Sequence, residues 1–437
     1  MTMTYPVISL KPSYNSIIRG CPGLPDTLPR IECELRIRSN DGKPFIIDKI
    51  QMVLKTIECL NMGLGSFTSK RNKLESESVH YKKNMRISDK KIIGLDIPLT
   101  IALPDDIKET NYNAKAGHSY TVLECDVLYH LPNTNSAPLV QSFSQMVNVE
   151  RYVLIASPRL YSPVTKVIQS PDKKFHVKLT TDNPCVTTDD LLTLKLEIFP
   201  NLTSYTQSQR IFNKQIKLKG ITLELKEILE LYDANSDTKE NVLESISKPF
   251  NDPLPESGMK LKMSLRVLTK NALFHTYETS LNEPAVMYQL PSHEPKMNQI
   301  NPPQTVVLKG KHSKEPFQYH CSITTRGKLF SVTHSLNIKF KISKGKDFEI
   351  SYPIDITPWP KSYMKHVEQL IYQEREIAKN AKSFYQNYGG IKRNKNGQLE
   401  YPPLPPVIYV PTKECLTQLG VLYNTESKIP RRVFVID

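Results

Sequence analysis

Residues 331–359 read SVTHSLNIKFKISKGKDFEISYPIDITPW. Leu336, Ile338, Phe340 and Ile342 alternate with Asn337, Lys339 and Lys341. After the turn residues Lys344, Gly345 and Lys346, the alternation resumes as Phe348, Ile350, Tyr352, Ile354 and Ile356. A period of two sends one set of side chains to a core and the other to water. Two such runs joined by a short Gly-containing loop predict a β-hairpin with one wet face.

The same pattern recurs upstream. Ile31, Cys33, Leu35 and Ile37 alternate with Glu32, Glu34, Arg36 and Arg38, and Asn40-Asp41-Gly42 supplies a turn. Ile50, Met52 and Leu54 continue in a second strand, and a polar, Lys-rich stretch runs from Ser66 to Lys91. Ile92 to Leu103, closed by Pro104, is a further strand candidate. Tyr120 to Leu131 is apolar on both faces, as a central strand should be. At Arg151 the chain changes character: RYVLIAS predicts a strand, followed by three Ser-Pro pairs at Ser157, Ser162 and Ser170. The prolines end strands, and Ser-Pro is also a phosphorylation context that would add negative charge beside a hinge.

Beyond this connection the pattern repeats. His176 to Leu179, Leu191 to Phe199 and Leu261 to Val267 predict strands. Ile216 to Leu231 fits a strand, or a helix after Gly220, because Leu225, Leu229 and Tyr232 also match a helical period. The polar stretches Asp233–Ser257 and Asn282–Pro303 predict inserted loops. Ser362 to Tyr388 lacks Pro and Gly and carries apolar residues at three- and four-residue steps, interrupted by Glu374. It predicts an amphipathic helix stopped by Gly389-Gly390. Tyr401 to Pro411, YPPLPPVIYVP, predicts a polyproline-II segment. The organisation is therefore all-β: a strand-rich lobe over 1–150, a connection over 151–170, a second lobe over 171–358, and a helix with a Pro-rich tail over 359–437.

Bulk composition agrees. The chain has 437 residues, enough for two domains. Hydrophobic residues make up 39%, which suffices for packed cores. The 33 prolines against 16 glycines suit loops and strand ends rather than long helices. A net charge of +14 favours acidic partners. The seven cysteines are scattered and form no CxxC, which points to a reducing compartment and no zinc site. No secretory leader or span-length apolar run is present, so the sequence predicts a cytoplasmic protein. The sequon at Asn201 is then without consequence.

The wording of the strands narrows the fold. Leu103-Pro104, Gly117, Ser119-Tyr120 and the strand TVLECDVLYHL resemble the end of an arrestin N-terminal lobe. His334 to Ile356, a Lys-rich hairpin closing on Pro353-Ile354-Asp355-Ile356, resembles the end of an arrestin C-terminal lobe. IIRGCPGLPD and IDKIQMVLKTIE resemble fungal arrestin-related trafficking adaptors. The resemblance runs from about Tyr5 to Thr357. It implies two tandem arrestin-type β-sandwich lobes. It also implies an adaptor that binds cytoplasmic tails of membrane transporters, recruits a HECT-type ubiquitin ligase through WW domains, and steers ubiquitylation or endocytic sorting. The family's recruiting signal is Pro-Pro-x-Tyr, which this chain lacks. Pro405-Pro406-Val407-Ile408-Tyr409 has one residue too many, whereas Pro402-Pro403-Leu404-Pro405 fits a different WW-binding pattern. Recruitment would run directly through this segment, through a partner adaptor, or not at all.

Two further features bear on function. Lys70, Arg71, Lys73, Lys82, Lys83, Arg86, Lys90 and Lys91 form a basic cluster. On one face they would suit an anionic membrane, peripherally at the plasma membrane or endosomes; otherwise they blunt a sheet edge. Only Tyr81 lies among them as an aromatic, so nucleic acid is not expected. No catalytic motif, cofactor signature or metal-ligand spacing appears. Asp105-Asp106 and Asp189-Asp190 fit turns and caps, and Cys33 and Cys125 fit buried, inert strand positions. The helix would dock on the second lobe or bind a partner, and the Pro-rich segment would pack on a sandwich edge or bind a partner. The alternative to a sorting adaptor is an arrestin-fold structural subunit of a trafficking coat or an exchange-factor complex.

Overall fold

The computed structural model describes residues 4–14, 16–60, 75–87, 90–113, 116–132, 137–155, 157, 163–182, 185–187, 191–201, 217–232, 237–267, 274–277, 286–289, 323–343, 346–357, 359, 364–395, 397–423 and 430–432. The described part is mostly β-strand, as the alternating pattern requires.

The first half builds two sheets. One has the order β1 (Pro6–Pro12), β3 (Arg30–Ser39), β6 (Gly94–Ala102), with β2 (Ile18–Arg19) also on β3. The other has the order β5 (Glu75–Met85), β4 (Ile46–Leu60), β8 (Gly117–His130), β7 (Asn111–Asn113), with β9 (Leu139–Val147) on β8. Ile31, Leu35, Ile37 and Leu95 from one sheet and Ile50, Met52, Leu54 and Val127 from the other close a single core. These are the apolar members of each alternation, so the period set the faces.

The second half repeats the plan. β10 (Val164–Gln169), β11 (Phe175–Thr181), β13 (Leu191–Pro200) and β16 (Met259–Arg266) form one sheet. In the other, β15 (Asp237–Pro253), β14 (Lys217–Leu231), β20 (Phe330–Ser343) and β19 (Thr325–Arg326) follow in order, with β21 (Phe348–Pro353) on β20. The hairpin of residues 331–359 is β20–β21, with Phe340 opposite Phe348 and Leu336 opposite Tyr352. Its apolar set lies in a core with Leu194, Leu196 and Leu223. β12 (Cys185–Thr187) pairs in parallel with β22 (Asp355–Thr357). A separate two-stranded ladder joins β17 (Phe274–Tyr277) to β18 (Val286–Gln289).

Several expectations are corrected. The described residues of RYVLIAS are not strand; Tyr152 and Ile155 instead pack around Trp359. The connection holds a strand of its own, β10, at the edge of a sheet. Residues 217–231 are strand throughout, because β15 and β20 both ladder onto β14. The polar stretch 233–257 contains the 17-residue β15 rather than a loop alone. An edge strand tolerates polar residues on both faces, so composition there mimics a loop. β8 is central but alternates at its far end, where Glu124 and Asp126 are half-buried. Asn282–Pro303 lies almost wholly outside the described residues.

The halves meet through a small apolar cluster of Leu60, Ala116, Leu229, Phe330 and Val332. Beside it Glu58 accepts the backbone N–H groups of Lys328 (2.8 Å) and Leu329 (3.2 Å). Lys108 donates to the Thr325 hydroxyl, which in turn donates to Glu109. Burial pulls the Lys108 ammonium below the ordinary lysine range, against the opposing pull of Glu109 and Glu58.

Candidate functional site: the tail against the first sandwich

The charged side of β3 is not simply wet. Its residues Glu32, Glu34, Arg36 and Arg38 are only partly exposed: Glu32 pairs with Arg30, Glu34 with Arg36, and Arg38 with Asp96 and the ring of the tail residue Tyr409. Helix α1 (Met364–Gln386) starts by packing Met364, Val367 and Ile371 on Cys21, Tyr152 and Ile155. The Trp359 indole donates to the Arg151 carbonyl at 3.2 Å, and its ring sits 5.0 Å from that of Tyr152.

Glu374 is the polar centre of this docking. Its carboxylate accepts the Gly20 N–H at 2.8 Å and pairs with Arg19 at 3.2 Å, while its side chain is only 8% exposed. Gly20 has φ +77°, and a Cβ there would lie 2.6 Å from the Thr27 carbonyl oxygen, so glycine is required. Arg375 pairs with Asp26 one step along the helix. The helix therefore docks on the first half and the connection, not on the second lobe as the sequence suggested.

Three tail tyrosines then follow the outer face of β6. Tyr385, 3% exposed, shares a 2.8 Å hydrogen bond with Thr100. Tyr401 lies with its ring 5.0 Å from that of Tyr385. Tyr409 donates its phenol proton to Asp96 at 2.9 Å and receives the Arg38 guanidinium 5.0 Å from its ring centre. Burial is the main cause that raises all three phenols, the Tyr401 phenol to about 12.

Between these anchors the chain forms a short hairpin, β23 (Lys392–Arg393) with β24 (Leu399–Glu400). It then adds β25 (Val407–Tyr409) to the free edge of β6, Val407 opposite Asp96 and Tyr409 opposite Gly94. A short helix α2 (Lys413–Gln418), capped by the Thr412 hydroxyl, sets Leu416 on Ile93. β26 (Val421–Tyr423) and β27 (Pro430–Arg432) form a last two-stranded ladder.

Pro403, Pro405 and Pro406 are exposed, Pro402 and Leu404 half-buried, and Tyr409 is engaged in the sheet. The segment thus packs at both ends and shows prolines to solvent between them. Lys82, Arg86, Lys90 and Lys91 are exposed and Lys83 is half-buried, at or just beyond the edge strand β5. That edge is not uniformly basic: Lys55 on the adjacent strand is held by Glu77 and Glu124 at 3.0 and 3.2 Å. Lys70, Arg71, Lys73 and Ser162 lie outside the described residues. The other two Ser-Pro serines are buried in this fold. Ser157 is fully buried and donates to Glu368, and Ser170 is 2% exposed and hydrogen-bonded to Asp172 and Phe175. Cys33 and Cys125 are buried, and desolvation pushes both thiols up to about 12, as inert core cysteines require.

Sequence reasoning missed Arg19, Gly20, Glu58 and Lys108, and treated Glu374 as a flaw in a stripe. The signal for Glu374 was present: a carboxylate on an apolar helical face must be paired or excluded from the core.

No described helix is long and apolar enough to cross a membrane. No protein-family model matches the chain. The chain is 39% identical over 496 residues to the RHO1 GEF localizing protein 1 of Saccharomyces cerevisiae, a likeness that covers 99% of this chain and 100% of that protein. With both chains covered end to end at that identity, the protein belongs to the family of the RHO1 GEF localizing protein.

Proposed function

We propose that the protein is a non-enzymatic adaptor that holds a Rho-type guanine-nucleotide exchange factor at its place of action, from the cytoplasmic side of a membrane. The observation that carries this reading is the end-to-end likeness to a protein named for localizing a RHO1 exchange factor. It matches the scaffold alternative of the sequence reading, a structural subunit of an exchange-factor complex. Two β-sandwiches supply rigid surfaces, and partner recognition by such modules resides in their edges and loops. Affinity purification of the tagged full chain tests it. A Rho-type exchange factor should co-purify near stoichiometrically, and its cellular distribution should collapse when the adaptor is removed. An unchanged distribution, with no exchange factor recovered, would refute the proposal.

A second reading is recruitment of a WW-containing ubiquitin ligase to transporter tails. It is favoured by the exposed Pro403, Pro405 and Pro406, since a polyproline ridge loses little entropy on docking. A peptide spanning Leu399 to Lys413 titrated against isolated WW domains tests it. Weak binding that is abolished by Pro403→Ala supports it, and no binding by the wild-type peptide refutes it.

A further inference from the structure

The net positive charge of the chain is not spread evenly. Ile377 to Leu399 contain five cations, Lys379, Lys382, Lys392, Arg393 and Lys395, and no carboxylate. All five side chains are exposed. Lys379 reaches Glu376 at 2.7 Å across the exposed helix surface, Lys392 stands opposite Glu400 in the β23–β24 register, and Lys382, Arg393 and Lys395 lie around and beyond the end of α1.

This stretch has a defined shape. Gly390 donates to the Tyr385 carbonyl at 2.9 Å and ends the helix, and Gly389 and Gly390 take φ of +100° and +75°. The chain turns directly into the β23–β24 hairpin. That hairpin is closed by Gly397 N–H to the Asn394 carbonyl (3.0 Å) and by Arg393 to the Gly397 carbonyl (2.7 Å). A Cβ built on Gly389 or Gly397 would meet nothing within 4 Å, so both turns face open space. Phe384 and Tyr388 are each 46% exposed at the same end. Their rings lie 5.2 Å apart, and Phe384 packs edge-on against the buried Tyr385 at 5.1 Å. The tip is thus rooted in the first sandwich through the Tyr385–Thr100 hydrogen bond.

Exposed cations in excess over the neighbouring carboxylates seek anions. Half-exposed aromatic rings beside them are the composition of side chains that settle at a lipid head-group boundary. Single-stranded nucleic acid would want ring faces free for stacking, whereas these rings lean on one another. We propose that the tip formed by the end of α1 and the β23–β24 hairpin seats the protein on an anionic lipid bilayer. The proposal stands apart from the exchange-factor reading, since its test contains no second protein.

Co-sedimentation of the full chain with phosphatidylcholine vesicles, with and without phosphatidylserine, provides that test. The wild-type protein should sediment only with the anionic vesicles, and less as salt rises. Each cation near such a surface contributes about a fivefold factor in binding. The triple variant Lys392→Ser, Arg393→Ser, Lys395→Ser should therefore bind weaker by about tenfold or more, after screening. These positions are exposed, so its thermal unfolding should match wild type. Phe384→Ser with Tyr388→Ser should also weaken binding. A control triple variant at the β5 edge, Lys82→Ser, Arg86→Ser, Lys90→Ser, should retain most of it. Three results would overturn the proposal: wild type failing to sediment with phosphatidylserine, a tip variant that binds like wild type, or loss confined to the β5 variant. Capture of an acidic peptide or RNA without vesicle binding would count with the first.

Discussion

Glu374 illustrates how one residue couples distant parts of the chain. Its carboxylate serves a backbone N–H and a guanidinium that lie 354 and 355 residues earlier. Removing one member of a buried pair strands the other, which costs more than the net worth of the pair. Glu374→Ala should destabilise the protein by about 3 kcal/mol or more, read as a lower urea midpoint. It should also speed amide exchange across residues 364–386. Glu374→Gln keeps an acceptor for Gly20 and should cost less. A second residue sets part of the acid stability. Burial raises the Asp41 carboxyl, but hydrogen bonds from Thr4, Lys43 N–H and Ser39 outweigh it and hold the group below its ordinary value. A depressed carboxyl contributes stability above its unfolded pKa, lost as pH falls through the folded one. Wild type should thus lose stability on acidification below about pH 4 more steeply than Asp41→Asn, a comparison that urea titrations across that range would make.

The tail elements behave as parts of the first sandwich rather than as appendages. Tyr409→Phe removes a phenol hydrogen bond to a carboxylate and should cost about 1.5 kcal/mol. It should also expose the 401–418 segment to protease while leaving the two cores intact; a Tyr409→Phe protein with wild-type melting and digestion would refute the assignment. Strands and their inward faces were legible because burial on one side writes itself as a period of two, as in Ile31–Ile37 and Leu336–Ile342. The helix was legible for the same reason at a period of 3.6, and its end at Gly389-Gly390 followed from backbone conformation. Edge strands were not: β15 and β5 are mostly polar, with only Leu243 and Phe250 of β15 and Tyr81 and Met85 of β5 packed on a core, and their partners make them strands. Nor was the docking of the tail legible, since Arg38 reads the same whether it faces water or the ring of Tyr409. Contacts between residues hundreds of positions apart leave no local pattern.

At the scale of the whole molecule, the joint between the halves rests on few groups. Glu58 caps two backbone amides of the second half, and a Cβ on Gly327 would sit 2.2 Å from its Oε2 atom. Glu58→Ala leaves those amides without their acceptor and should weaken the joint by about 1–3 kcal/mol. Small-angle scattering should then report a larger radius of gyration with an unchanged circular-dichroism spectrum, and an unchanged radius would show that the apolar cluster around Phe330 suffices. The pairing of β25 with β6 also has a consequence for biosynthesis. The Tyr409–Asp96 contact spans 313 residues, and a ribosome adding about 5–20 residues per second needs roughly fifteen seconds to a minute to cover that distance. Throughout that interval the nascent first sandwich carries an unpaired strand edge on β6, open to a neighbouring nascent chain or a chaperone. A stop codon ahead of Val407 makes that interval permanent, so termination within the tail yields a chain whose defect lies in its first hundred residues.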